Sequence, residues 1–538
     1  MSSLPVIVGF GGFNAAGRSS FHQAYQRMVI DSLSESQRQE TLQGLAVMMQ
    51  RVKYVDGQFQ NSAGELLSAE EVVAAYKDDI LDNTLVRRIG KQYFDVESLP
   101  FNQNVDLSTV PNQTVQFELK KRQLPTPIPS SWNITELDEK RVQVSIDGDD
   151  AQVQLATTYV SAVQAAGQLP DGFDPADQYS SRFHPRSLQL SIIGASDAVN
   201  SIGIPWETIV QYVAPDEVGV YSASVMGQLD QYGLGGLLQS RLKGERASTK
   251  QVALGLGSMT ADFINAYVIG SMGQTASVAG ACASFLYNLQ AGMEDIRSGR
   301  RRVVIVGSSE APITPEIIDG YATMGALATD EKLCKLDGVE TPDYSRASRP
   351  FGENCGFTIG ESGQQVVLMD DALAIELGAT IHGSILDVFV NADGYKKSIS
   401  APGPGNYLTL AKAVASARNL LGDEAVQERS FIQAHGSSTP QNRVSESEIF
   451  DRIAEAFDIK KWPVTAIKSY VGHSLAPASG DQLITSLGIF AQGIIPGIKT
   501  IDKVADDVLT ERLYFPIDDM RCEKTPDIAF LNSKGFGG

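Results

Sequence analysis

The sequence is poor in cysteine, in histidine and in positive charge. Its four cysteines, Cys282, Cys334, Cys355 and Cys522, are too few for a disulfide framework in 538 residues. None forms a C-x-x-C pair, so no structural zinc site is indicated and neither metal nor cofactor is expected. Lys and Arg number 44 against 64 Asp and Glu, a formal net charge of −20. Nonspecific nucleic-acid binding needs the opposite balance, so no nucleic-acid partner is expected. No apolar run reaches the roughly 18 residues of a membrane span. The opening MSSLPVIVGFGGF carries no basic segment before its apolar stretch. It does not read as a signal peptide, which makes the cytoplasm the default compartment.

The first strand and turn, PVIVGFGGFNAAG, look superficially like a dinucleotide-binding opening. The spacing is not G-x-G-x-x-G, and no strand with an acidic end follows at the required distance. Residues of about 20–205 carry no catalytic signature. They hold polar helical patterns such as SAEEVVAAYKDDI and a proline-rich LPTPIPSSW. RVQVSIDGDDAQVQL reads as a hairpin turning at Asp147-Gly148. The whole segment is expected to be an insertion or cap on a catalytic core.

From about 217 onward the pattern changes. Short β-rich runs end in Gly, Ser, His or Cys and alternate with helical runs, as in RRVVIVGSSEA, FIQAHGSSTP and VTAIKSYVGHS. That alternation predicts an α/β fold, with chemistry just past the strand ends. Gly-Phe-Gly-Gly occurs at 9–12 and again at 535–538, which is compatible with a duplicated fold.

Cys282 stands among small residues, Gly280-Ala281-Cys282-Ala283-Ser284, ahead of a helical pattern with apolar Phe285, Leu286, Leu289, Met293 and Ile296. Unpaired backbone N–H groups and the helix dipole at that N-terminus favour a thiolate. On local grounds a nucleophile and a buried structural cysteine are both open readings. Of the five histidines, His22, His184 and His382 lack a site context. His435 and His473 both lie in Gly-flanked, Ser-containing turns after β runs, which suggests a Cys-His-His site.

These residues, in this order, resemble the β-ketoacyl-acyl-carrier-protein synthases of the thiolase-like superfamily. The matching stretches are Ala281-Cys282-Ala283, Gly307-Ser308-Ser309-Glu310, Gly325-Ala326-Leu327, Ser348-Arg349-Pro350-Phe351 through Phe357, Asn391-Ala392-Asp393-Gly394, His435 to Asn442, Lys468 to His473, and Asn532 to Gly538. The chain departs from the pattern at Gly280, at Asn354-Cys355, at Ser362-Gly363-Gln364, and at Arg443, where the family carries an acid.

The resemblance implies a layered αβαβα fold of two related halves, 1–370 and 371–538, with the cap of about 20–205 in the first. It also implies a chain that continues past Gly538. The implied reaction is a decarboxylative Claisen condensation of an acyl thioester with malonyl-acyl carrier protein in fatty-acid synthesis. Cys282 would carry the acyl group, and His435 and His473 would stabilise the enolate oxygen. The backbone N–H groups of Cys282 and Phe536 would form an oxyanion hole, with Phe536 as gate. Lys468 and Glu446 would be a supporting ion pair, and Ser437 and Thr439 would bind the pantetheine arm.

The long N-terminal insertion resembles the larger bacterial synthases that start from acetyl-CoA. Gly280 and Phe285 are expected to shape the acyl pocket for short chains. A homodimer is implied, along with a carrier-protein site on Arg297, Arg300, Arg301 and Arg302, on Lys396 and Lys397, or on Lys460 and Lys461. The alternatives are a polyketide-type ketosynthase and a non-catalytic chain-length partner. Such partners typically lack the nucleophile that Cys282 supplies here. A thiolase would need a second cysteine in a glycine-rich turn, which Met520-Arg521-Cys522-Glu523 is not.

Overall fold

A computed structural model describes residues 3–106, 114–147, 152–181, 183–395 and 403–538. The chain divides into two compact units, 1–89 with 162–538, and 90–161.

The large unit is built on two sheets. In the first, strands β1 (Pro5–Asn14), β2 (Val218–Ala223), β3 (Thr275–Ala276), β4 (Val303–Glu310), β5 (Ser362–Asp370) and β6 (Gly383–Ser384) run in the order β3-β2-β4-β5-β1-β6. β2 is parallel to β3 and β4, while β5 is antiparallel to both β4 and β1. The first strand and the strand at 218–223 therefore share one sheet. The second sheet holds β7 (Ser430–Gln433), β8 (Trp462–Thr465), β9 (Leu513–Tyr514) and β10 (Ile528–Leu531) in the order β9-β8-β7-β10, every pair parallel.

Strand alternation explains the layering. Val6 and Val8 of β1, with Val303 and Ile305 of β4, face helix α1 (Arg186–Asn200). Ile7, Val304 and Val306 point the other way, onto α2 (Ser284–Arg297) and α4 (Ala478–Gln492). Ile432 of β7 and Val464 of β8 are buried with Ile449, Phe450 and Ile453 of α3 (Pro440–Ala456). Phe431 turns to the opposite side, where Ile489 of α4 lies. α2 and α4 thus form the middle layer of a five-layer α/β stack. Strands buried on both faces need near-continuous apolar runs, and VVIV supplies one.

The segment of about 20–205 is not one cap. α1 packs on β1, β4 and β5 and belongs to the core, and residues 20–89 remain in the large unit. Only 90–161 stands as a unit of its own. It contains a sheet of Thr114–Lys120, Arg141–Asp147 and Trp132–Glu136, and a ribbon of Leu99–Asp106 with Gln152–Tyr159. The runs 141–147 and 152–159 are strands but do not form a hairpin with each other. Both edges of 141–147 are taken, by 114–120 and by 132–136, so 152–159 pairs elsewhere. Gly148, at the expected turn, lies outside the described residues.

Candidate active site

Cys282 sits two residues ahead of α2, on a turn where Ala281 takes a positive φ of 50°. A left-handed alanine costs about 1–2 kcal/mol, so the turn must be held from outside. Ser284 Oγ accepts from Gly280 N at 2.9 Å and donates to Ala281 O at 2.7 Å. Asn288 brackets Val278, accepting from its N–H and donating to its C=O, each at 3.0 Å. Ser533 Oγ donates to the carbonyl of Cys282 at 3.0 Å. Gly280 is required here, because a Cβ would lie 2.4 Å from the Tyr287 ring. Gly535 is required on the opposite wall, where a Cβ would come within 2.7 Å of Gly280 O.

The helix N-terminus does not make Cys282 a ready thiolate. Burial pushes its thiol up to about 11, against the downward pull of the Lys468 charge, and the Glu310 carboxyl raises it further.

His435 follows β7, and His473 lies beyond the end of β8. Their rings meet edge to face with centroids 5.2 Å apart. The Nδ1 of His473 accepts from Leu475 N at 3.1 Å, and the Nδ1 of His435 accepts from Lys534 N at 3.4 Å. An Nδ1 that accepts leaves the proton on Nε2, so each ring offers an Nε2–H donor. Both pKa values are pushed well below the usual imidazole range, by burial first and then by the Lys468 charge. They are therefore neutral hydrogen-bond donors.

Lys468 and Glu446 do not form the direct ion pair expected from the sequence. Glu446 accepts from His435 N at 2.6 Å, Gly436 N at 2.9 Å, and the amides of Asn442 and Asn532 at 2.8 Å each. Lys468 Nζ instead donates to His435 O. The two charges grip the same peptide from opposite sides, because the carboxylate is already saturated with N–H donors. Burial pulls Lys468 down to about 8, while Glu446, Cys282 and Asp481 push it up.

Ser437 and Thr439 are joined by a 3.0 Å hydroxyl contact at the start of α3. Phe536 is 46% exposed, in the turn after Gly535, and so is not a core residue. Phe285 is fully buried in the core with Ile7, Phe10 and Leu289. It is not among the residues that line the cavity beside Ala283 and Ser533. Arg443, standing where the family has an acid, is paired with Asp507 at 2.8 Å and Glu353 at 3.3 Å. A cavity of about 590 Å³ opens beside Ala283, Ser533 and Gly538. Cys282, His435, His473 and Lys468 are not among its walls, so it is separate from the Cys-His-His cluster.

Two of the three expected carrier-docking clusters face the wrong way. Arg297 pairs with Asp387, Arg300 and Arg301 with Asp295, and Arg302 with Asp370. Arg300–Arg302 also precede β4, whose far end carries Glu310. Lys460 and Lys461 are exposed but precede β8, opposite Lys468 and His473. Lys396 and Lys397 lie outside the described residues.

Three neighbours of the site were not singled out from sequence. Glu310, at the end of β4, accepts from Ser224 Oγ at 2.6 Å, Val225 N at 2.9 Å and Met226 N at 3.2 Å. Burial pushes it up to about 7. Its place in the matched Gly307–Glu310 stretch was the available signal. Tyr321 packs edge to face on Phe357 at 5.3 Å, and burial first, then the charges of Cys282 and Glu310, raise its phenol. Asp481 bonds to partners up to 467 positions away, which no local pattern reports.

Comparison with known proteins agrees with this architecture. The family model for the beta-ketoacyl synthase N-terminal domain matches residues 111–374, and that for the C-terminal domain matches 382–502. The chain is 58% identical over 538 residues to beta-ketoacyl-[acyl-carrier-protein] synthase FabY of Pseudomonas aeruginosa, covering 100% of this chain and 85% of that protein. It is 28% identical over 389 residues to 3-oxoacyl-[acyl-carrier-protein] synthase 2 of Synechocystis, 70% of this chain and 86% of the relative. The crystal structure of the noncanonical ketosynthase FabY from P. aeruginosa superposes with a TM-score of 0.98, covering 100% of this chain and 84% of that one. The oxazolomycin ketosynthase domain OzmH KS7 of Streptomyces albus shares the fold, with a TM-score of 0.59 at 19% identity over 70% of this chain and 64% of that one.

The fold is that of the thiolase-like condensing enzymes, and the protein is an acyltransferase of that class. The chain belongs to the beta-ketoacyl synthase family, and its function is that of a β-ketoacyl synthase.

Proposed function

We propose that the chain condenses an acyl thioester with a malonyl thioester, with Cys282, His435 and His473 as its catalytic residues. The observation that carries this is the shared tautomer: two neutral, adjacent imidazoles, each with Nδ1 occupied by a backbone N–H. In the first step Cys282 sulfur bonds to the acyl carbon and the donor thiol leaves with the cysteine proton. In the second, the malonyl C–CO₂ bond breaks and carbon dioxide departs. The electron pair becomes an enolate, whose oxygen accepts from both Nε2–H groups. The enolate carbon then attacks the acyl carbonyl and releases the Cys282 thiolate. Backbone N–H groups of Cys282 and Phe536 serve the tetrahedral oxyanion. Lys468 and Glu446 hold the His435 peptide, Phe536 gates the two half-reactions, and Ser437 and Thr439 bind the pantetheine arm.

The malonyl donor in this proposal is a carrier protein, a partner supported by the two relatives, both acyl-carrier-protein synthases by name. Such carriers are acidic, and the exposed run 241–250 supplies Arg241, Lys243, Arg246 and Lys250 with one acid, Glu245. That run lies in the loop after β2, on the same end of the sheet as Glu310. A homodimer is supported by exposed Tyr267 and Met272, which lead into the edge strand β3. Division into halves at 370/371 is supported by the family-model boundary between 374 and 382. A cytoplasmic setting and short-chain priming from acetyl-CoA complete the proposal. Among the described residues no helix is long and apolar enough to cross a membrane.

The test separates the half-reactions. Cys282→Ala should lose acyl transfer, followed by intact mass, and keep the wild-type circular dichroism. His435→Ala and His473→Ala should keep acylation and lose carbon dioxide release by about a hundredfold or more. Wild-type turnover in any of the three rejects its role.

A further inference from the structure

We propose that Asp481 is a positioning residue of the decarboxylation step: through Ser474 it fixes the turn that orients His473. The proposal rests on the role given above to His473.

Asp481 lies in the first turn of α4 and is 2% exposed. Its Oδ1 accepts from Asn14 Nδ2 at 2.9 Å, Ser362 Oγ at 2.8 Å and Gln364 Nε2 at 2.9 Å. Its Oδ2 accepts from Ser474 Oγ at 2.7 Å. All four partners act as donors, the pattern of an ionised carboxylate. Three of them are side chains of β1 and β5 in the first sheet. The fourth is the residue next to His473.

The turn they hold is strained. Leu475 takes a φ of 62°, an uncommon conformation for a leucine. In that conformation its N–H reaches His473 Nδ1 and sets the tautomer. With Ser474 released, Leu475 can relax, its N–H turns away, and the Nε2–H donor of His473 is no longer enforced. The tie thus connects first-sheet geometry to one imidazole of the site.

Charge is the second contribution. Lys468 touches the His435 carbonyl, and the groups whose charge acts on it or on which its charge acts are Glu446 from α3, Asp481 from α4, Cys282 from the turn before α2, and the neutral His435 and His473. Removing the Asp481 charge leaves Glu446 as the one carboxylate among them.

The experiment uses the full chain and compares Asp481→Asn, Ser474→Ala and His473→Ala. Two rates are read over a range of pH: acylation of Cys282 by intact mass, and carbon dioxide release from malonyl carrier protein. Asp481→Asn and Ser474→Ala should each slow carbon dioxide release about tenfold and leave acylation within about twofold. Asp481→Asn alone should also move the alkaline limb of carbon dioxide release to lower pH. Ser474→Ala, which keeps the charge, should leave that limb in place. The proposal is overturned if Asp481→Asn slows both steps equally while Ser474→Ala does nothing, because Asp481 is then only scaffold. Unchanged carbon dioxide release in both variants overturns it too. If His473→Ala itself leaves carbon dioxide release intact, the fault lies in the role assigned to His473, and the proposal falls with it.

Discussion

Lys468 donates its ammonium proton to the carbonyl oxygen of His435 rather than to a carboxylate. The charge thereby holds the His435 carbonyl in place, while Glu446 accepts from the N–H of the same residue.

A buried ammonium held this way costs stability. Its pKa falls from 10.5 to about 8, so the folded form resists protonation between those values. The unfolded chain binds the extra proton there, and stability rises as pH goes from 8 to 10.5. At neutral pH the cost is about 3 kcal/mol. Lys468→Met should unfold a few degrees higher than wild type at pH 7, with the difference gone by pH 10.5. The same variant should lose carbon dioxide release. A lower unfolding temperature at pH 7 refutes the account.

Glu310 gives the opposite slope. Its pKa rises from 4.5 to about 7, so the folded form holds a proton that the unfolded chain has released. Stability should fall as pH rises from 4.5 to 7 and be flat above. Glu310→Gln should remove that slope in thermal unfolding curves. Because the Glu310 charge raises the Cys282 thiol, the same variant should shift the pH midpoint of iodoacetamide labelling at Cys282 below about 11. An unmoved midpoint would separate the two groups.

Gly280 and Tyr287 are coupled by contact. A Cβ at 280 meets the Tyr287 ring at 2.4 Å, so Gly280→Thr should destabilise the chain by about 1–3 kcal/mol as overpacking does. Adding Tyr287→Ala should recover much of that loss in a double-mutant cycle. Independent, additive effects would mean that the turn rather than the ring requires glycine.

Charge reversal at Arg241, Lys243, Arg246 and Lys250 should raise the KM for malonyl carrier protein, and high salt should erase the difference. Reversal at Arg300 and Arg302 should leave KM alone and lower the unfolding temperature, since their partners Asp295 and Asp370 are buried. The reverse outcome restores the arginine cluster as the docking site.

Donor choice is measured directly, by offering malonyl carrier protein with acetyl-CoA or with acyl carriers of two to sixteen carbons. Turnover with acetyl-CoA is expected. Preference for long carriers without acetyl-CoA turnover removes the priming role and leaves the condensing activity.

Local chemistry determined a good deal by sequence alone. VVIV is a run that a doubly covered strand buries, and short β-rich runs alternate with helical ones after it, so the α/β class was legible. Cys282, His435 and His473 were legible because each stands in a short motif of small residues at a strand or helix end. Tertiary structure decided the rest, because long-range partners and desolvation have no local signature. The limits of the separate unit at 90–161 depend on which strands pair, and 141–147 chose 114–120 and 132–136 over its neighbour in sequence. Burial set the Cys282 thiol high where a helix N-terminus alone would lower it. Phe285 went to the core, and Lys468 and Glu446 met across a peptide instead of each other. Asp481 acquired its place from Asn14 and Ser362, residues 467 and 119 positions away, once folding had stacked the two sheets around one helix layer.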